Sequence, residues 1–220
     1  MFAPCVLLLF ILGSINADEA LLSCDFNNTY CGWWNDENVG GEWEFKSDEE
    51  GADAKDIVLY NVRNDVYKTA RLISPIYDRS LVEGGCFKLR FGHYLRHNII
   101  LKVYQVPESL GVTALFSSPE EQKRKYIIFH ESPTPTVQRT ELVFDARSMF
   151  LGYPENFQIV IEGENWWGLT SIQQYDILRG KECIEAIRHT YIKKGTTQIY
   201  FENRNNNLQT VTTSPITTTT

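Results

Sequence analysis

Four cysteines constrain this chain more than any other feature. Five occur in all, Cys5, Cys24, Cys31, Cys86 and Cys183. Cys5 lies in an apolar leader, Val6 to Leu12 forming its centre, with small residues at Ser14-Ile15-Asn16-Ala17 before Asp18. That run is far shorter than the roughly 20 residues needed to cross a bilayer, so residues 1–17 read as a removable secretory signal. Removing it leaves an even number of cysteines in a chain bound for an oxidising compartment, the expected setting for disulfides. Their spacing allows three pairings. None matches the CxxC spacing of a zinc site, and no thiol is left over as a nucleophile or an intersubunit bridge.

The residues between the cysteines read as antiparallel strands. Phe87, Leu89 and Phe91 alternate with Lys88 and Arg90, and Phe157, Ile159 and Ile161 share one face of a second run. Ile57–Tyr60, Ile99–Val106, Lys125–His130 and Glu141–Phe144 are further β-branched or aromatic runs. Period-two alternation marks strands with one face in a core and one in water. Short runs of this kind, punctuated by Gly, Pro and Asn, predict an all-β sandwich of two antiparallel sheets. Residues 107–122 and 131–140, with Pro107, Pro119, Pro133 and Pro135, read as loops, and no amphipathic helix is expected inside the domain. The domain is expected over residues 18–183, followed by a polar linker at 184–209. Thr210 to Thr220 holds seven threonines in eleven residues. It is read as a disordered, mucin-like tail.

Composition narrows the function. The net charge of −7 argues against a nucleic-acid surface, which needs clustered cations. The one basic cluster, Lys123-Arg124-Lys125, follows Glu120-Glu121 and reads as a solvated turn. No nucleophile elbow, HExxH, P-loop or dinucleotide loop occurs, and the four histidines are scattered, so no enzyme is expected.

The start of the domain reads Cys24-Asp25-Phe26-Asn27…Cys31-Gly32-Trp33, followed by Trp43. Ala70-Arg71-Leu72-Ile73-Ser74-Pro75, Gly85-Cys86-Phe87-Lys88-Leu89-Arg90-Phe91-Gly92-His93-Tyr94 and Leu101-Lys102-Val103-Tyr104 follow in order. Phe157 to Gly163 and Tyr175-Asp176-Ile177 precede Cys183. This series resembles the MAM family of extracellular adhesion domains over residues 24–183. The resemblance implies a jelly-roll sandwich, the pairs Cys24–Cys31 and Cys86–Cys183, and core places for Trp33 and Trp43. Some relatives hold a structural cation. Here Asn27 stands where the family has Glu, and Tyr175 where it has Asp, which leaves Asp25 and Asp176 as the candidate ligands. No other cofactor is expected.

Asn27-Asn28-Thr29 is an N-glycosylation sequon, with Asn27 the acceptor. Trp34, Trp166 and Trp167 are the candidate partner contacts. Adjacent strand residues face opposite ways, so one of the Trp166-Trp167 pair is expected at the surface. Taken together, these readings predict a secreted recognition protein with an extracellular protein partner, self-association among the candidates. A glycan-binding, lectin-like role is the first rival, and an accessory domain of a secreted hydrolase the second.

Overall fold

The computed structural model describes residues 21–46, 56–61, 68–131, 141–184, 188–193, 196–202 and 208–211. Within these it describes the backbone alone at 60–61, 93–99, 141–142, 166–167, 184 and 188–211. The strands are β1 (Ser23–Cys24), β2 (Trp34–Asn35), β3 (Glu44–Phe45), β4 (Ile57–Asn61), β5 (Lys68–Ile73) and β6 (Gly85–Pro107). They continue with β7 (Ile127–Glu131), β8 (Glu141–Met149), β9 (Phe157–Arg179), β10 (Arg188–Lys193), β11 (Thr196–Glu202) and β12 (Leu208–Val211).

Strands β6 and β9, of 23 residues each, organise the fold. They pair antiparallel over their whole length, from Gly85↔Arg179 to Pro107↔Phe157. A straight strand of that length would run about 75 Å. The ribbon is bent, and its register shifts between Arg90 and Phe91 and again between Tyr94 and His97. Its two halves belong to two sheets. The first sheet takes the β6 half before the bend and the β9 half after it, with β8, β4 and β3 beyond them and β1 on Tyr175 and Asp176. The second takes the other halves, with β7 on one side and β5 then β2 on the other.

The sheets meet face to face. Phe91 of the first sheet lies 5.6 Å, centroid to centroid, from Phe129 of the second. One buried cluster draws Phe87, Leu89, Phe91 and Ile172 from the first sheet and Leu72, Leu101, Val103, Ile159 and Ile161 from the second. Trp33 and Trp43 are buried in it, as expected. At Gly163 the sheets come so close that a Cβ would lie 2.7 Å from Trp43 Cζ2 and 3.0 Å from Leu59 Cδ2. Only a residue without a side chain fits there. The result is the predicted sandwich of two antiparallel sheets.

Both disulfides pair neighbouring cysteines in sequence. Cys24–Cys31 closes a short loop, with Cα atoms 6.2 Å apart. Cys86–Cys183, 5.7 Å apart, fastens the start of β6 to the short helix Lys181–Ile184 after β9.

Three features differ from the sequence reading. The runs 86–91 and 99–106 are one strand, because the ribbon bends without breaking its ladder. Residues 107–122, read as loop, contain the short helices Val112–Ser117 and Glu120–Lys123, with a single 3₁₀ turn after them at Arg124–Tyr126. Neither helix has a side-chain cap at its start, and six and four residues cannot hold a helix alone. Packing holds them: Leu115 is buried beside Ile73, Tyr104, Val106 and Val160 on the outer face of the second sheet, with Phe116 against the same cluster. Finally, residues 188–211, read as linker and the start of the tail, carry β10 to β12. β10 joins β8 through Ile192↔Val143. The expected signal at 1–17 and the rest of the tail fall outside the described residues.

Candidate functional site

The two sheets offer two outer faces, and they differ. The outer face of the second sheet is closed by residues 108–126, and an ionic network seals the contact. Arg71 Nε donates to Glu162 Oε2 at 2.7 Å, and Nη1 to Asp36 Oδ2 at 3.2 Å. Its guanidinium carbon sits 3.7 Å over the Phe116 ring. Tyr104 Oη donates to Glu162 Oε1, and Lys102 Nζ to Glu164 Oε1 at 2.7 Å. Burial, then the nearby Glu162 carboxylate, push the Tyr104 phenol up. Burial works against the Lys102 ammonium, but Glu164, Glu162 and Glu120 outweigh it and raise its pKa. Glu120 also accepts from Lys123 at 3.0 Å. Much of this face is thus covered by the chain itself.

The outer face of the first sheet carries polar rungs, built from the outward residues of the β6 alternation. Lys88 stands between Asp176 on β9 and Arg147 on β8, and Arg90 between Gln174 and Asp145. Lys88 Nζ donates to Asp176 Oδ2 at 3.1 Å. Arg90 binds Asp145 through two bonds, Nε to Oδ1 at 3.1 Å and Nη2 to Oδ2 at 3.2 Å. Its side chain is 41% exposed, so the guanidinium reaches solvent while held in place. The register shift opposite Arg90 and Phe91 leaves Gln173 as an extra residue in β9. A bulge of this kind re-aims a side chain. Gln173 Nε2 donates to Asp56 Oδ2 at 3.3 Å.

Beside these rungs projects the Cys24–Cys31 loop. Its backbone enters the left-handed region at Phe26, Asn28 and Cys31, with φ of 52°, 55° and 53°. None is glycine, and such conformations persist only where the surroundings fix them. The disulfide does so at the base. Phe26 does so inside, fully buried against Tyr175 at 5.7 Å and Trp33 at 6.4 Å. Asp25 Oδ1 accepts from the Asn27 amide, and Thr29 Oγ1 from the Cys31 amide. With Phe26 anchored inward, Asp25 and Asn27 are exposed. Together with Asp56, Arg90, Gln173 and Gln174 they line a shallow open depression of about 400 Å³.

The structure sorts the sequence candidates. Asn27 and Asp25 reach this depression, and Asp176 lies on the same sheet face. Asp176 and Asp25 already hold partners within the fold. Asp176 accepts from Lys88 and also from Gln174 Nε2, at 3.1 Å to each oxygen, while Asp25 Oδ1 is taken by the Asn27 amide. Among the described residues, no three His, Cys, Asp or Glu side chains gather to hold a metal. Trp34 is 46% exposed. It sits opposite Ile73 at the edge of the second sheet and is not among the residues that line the depression. Trp166 and Trp167 fall in β9 at the bend, Trp167 opposite His97, and their side chains lie outside the described residues. Sequence reasoning missed Asp56, Arg90, Gln173 and Gln174 as site residues. The one signal was that Lys88 and Arg90 occupy the wet positions of the alternation.

No family model and no curated protein matches the chain. Solved structures of similar shape exist. The K3 cleaved adhesin domain of Lys-gingipain from Porphyromonas gingivalis aligns with a TM-score of 0.49 at 13% identity, covering 73% of this chain and 99% of that one. The K1 adhesin domain of the same protein gives 0.48 at 11% identity, covering 72% and 98%. TmCBM27, a carbohydrate-binding module studied for specific mannan recognition, gives 0.40 at 14% identity, covering 72% and 96%. At this level no residue or ligand transfers to the present chain. Among the described residues, no helix is long and apolar enough to cross a membrane.

Proposed function

We propose that this chain is a secreted recognition module of the MAM type, binding an extracellular protein through the outer face of its first sheet and the adjoining Cys24–Cys31 loop. One observation carries the reading. Residues 108–126 bury one sheet face, while the other presents ordered, solvent-reaching polar groups beside a loop held rigid by a disulfide and a buried Phe26. Preorganised loops of this kind lose little entropy on binding. The rungs alternate in sign, Lys88 and Arg90 against Asp145 and Asp176, which favours a partner of matching charge pattern and disfavours others. The series of motifs over residues 24–183 and the two disulfides support the same reading, since bridges of this kind belong to oxidising compartments. The module acts by contact rather than by bond chemistry.

A second reading is favoured by the depression itself. Its lining of carboxylates, amides and one guanidinium suits the hydroxyls of a sugar, which would make the chain lectin-like. Binding of the secreted chain is measured against itself by sedimentation, against immobilised extracellular matrix proteins, and on a glycan array. Protein binding that weakens on Arg90→Ala supports the first reading. Glycan binding lost in the same variant supports the second, and no binding of any kind overturns both.

A further inference from the structure

We propose that Asn27 carries an N-linked oligosaccharide rooted on the rim of the depression, and that this sugar roofs the depression and sets how much of the face is open.

The sequon alone states only that an enzyme would recognise the site. The structure adds where the sugar would go. Asn27 is exposed and lines the depression with Arg90, Gln173 and Gln174. Among the described residues, the Asn27 carboxamide accepts only a long contact, 3.4 Å from Asn28 Nδ2, so these do not lock it into the fold. Its backbone is locked. The amide donates to Asp25 Oδ1, the preceding Phe26 is fully buried, and Cys24–Cys31 closes the loop behind it. A sugar on this side chain therefore starts from a fixed point and spreads over a shallow surface beside it.

The chemistry is a glycosyl transfer from a lipid-linked oligosaccharide pyrophosphate, the donor class of the secretory route. A bond forms between Asn27 Nδ2 and the first sugar's C1. The bond from C1 to the pyrophosphate oxygen breaks, the lipid pyrophosphate leaves with the electron pair, and Nδ2 gives up one proton. No oxidant or reductant is needed.

The consequence concerns the binding face proposed above and rests on that reading. The shielding itself needs no partner to be measured. Arg90 supplies the probe, because its guanidinium lines the depression and is partly exposed.

The full chain is secreted from a eukaryotic cell line alongside Asn27→Gln and Thr29→Ala. Each variant destroys the sequon independently, so one carries the test if the other fails to fold. Thr29→Ser keeps it. Peptide mass mapping reports the sugar, and the rate of Arg90 modification by phenylglyoxal reports the opening. The expected result is sugar on Asn27 in the parent and in Thr29→Ser, none in the other two, and Arg90 reacting several-fold faster where the sugar is absent. An unmodified Asn27 in the secreted parent overturns the proposal. So does Arg90 reactivity that is equal with and without sugar, a result that leaves the binding reading standing.

Discussion

Arg71 and Glu162 are direct cross-strand partners on β5 and β9, joined Nε to Oε2 at 2.7 Å with only 4% of Glu162 exposed. The same guanidinium reaches Asp36, itself 7% exposed. One cation thus satisfies two buried carboxylates and covers Phe116. Removing one partner of a buried pair costs about 3–5 kcal/mol, because the remaining charge keeps its desolvation penalty. Arg71→Met should therefore lose stability on that scale in urea unfolding. Adding Glu162→Gln and Asp36→Asn should recover part of the loss, since the stranded charges are then gone.

The same network sets the response to acid. Burial by itself would raise the Asp36 carboxyl, but donors from Asn38 and Arg71 outweigh it and hold the group below its ordinary 3.8. A carboxyl with a lower pKa folded than unfolded adds stability above the unfolded value, and this is lost as pH falls through the folded value. Thermal melts should show the midpoint falling below about pH 4. Asp36→Asn should flatten that limb. Lys102 acts in the opposite direction. Its raised pKa adds stability below the ordinary 10.5, which disappears only as pH rises past the folded value, so neutral pH should show no trend from it.

The two disulfides should differ in weight. Cys86–Cys183 spans 97 positions in sequence and Cys24–Cys31 only 7. Loop-closure entropy gives roughly 4–5 kcal/mol for the long bridge and about 2–3 for the short one. Paired serine substitutions at Cys86 and Cys183 should thus be the more damaging in denaturant unfolding. Serines at Cys24 and Cys31 should weaken binding more than their smaller stability cost explains, because they release the loop that presents Asp25 and Asn27.

Gly163→Ala tests the close approach of the sheets. The added methyl meets Trp43 and Leu59, both buried in the core. Overpacking of this kind costs about 1–3 kcal/mol. The midpoint should fall in denaturant unfolding, and a loss below a few tenths would show that the sheets separate easily there.

Much of this was legible in the sequence. Phe87, Leu89 and Phe91 pointed inward as their alternation required, and so did Phe157, Ile159 and Ile161. The continuity of β6 and β9 was not legible. The sequence shows 86–91 and 99–106 as separate runs, whereas the bent ribbon pairs with β9 on both sides of its register shifts. Nothing in the sequence marks Glu162 and Glu164 as partly or fully buried, and only the packing of residues 108–126 shows what covers that part of the sheet. The depression was hidden for a similar reason. It joins the Cys24–Cys31 loop to Asp56, Arg90 and Gln173, which are brought together by strand register and a bulge rather than by any local pattern.

The central claim is that recognition runs through the first sheet's outer face, and Arg90 against Trp34 tests it most directly. The Arg90–Asp145 pair is partly exposed, and such pairs contribute about 0–1 kcal/mol, so Arg90→Ala should fold and melt nearly as the parent does. Binding to the protein partner found among those assays, measured by surface plasmon resonance, should weaken at least tenfold in Arg90→Ala, roughly 1.4 kcal/mol. It should be unchanged in Trp34→Ala. Full binding by Arg90→Ala together with loss in Trp34→Ala would contradict the account, placing the contact at the edge of the second sheet instead.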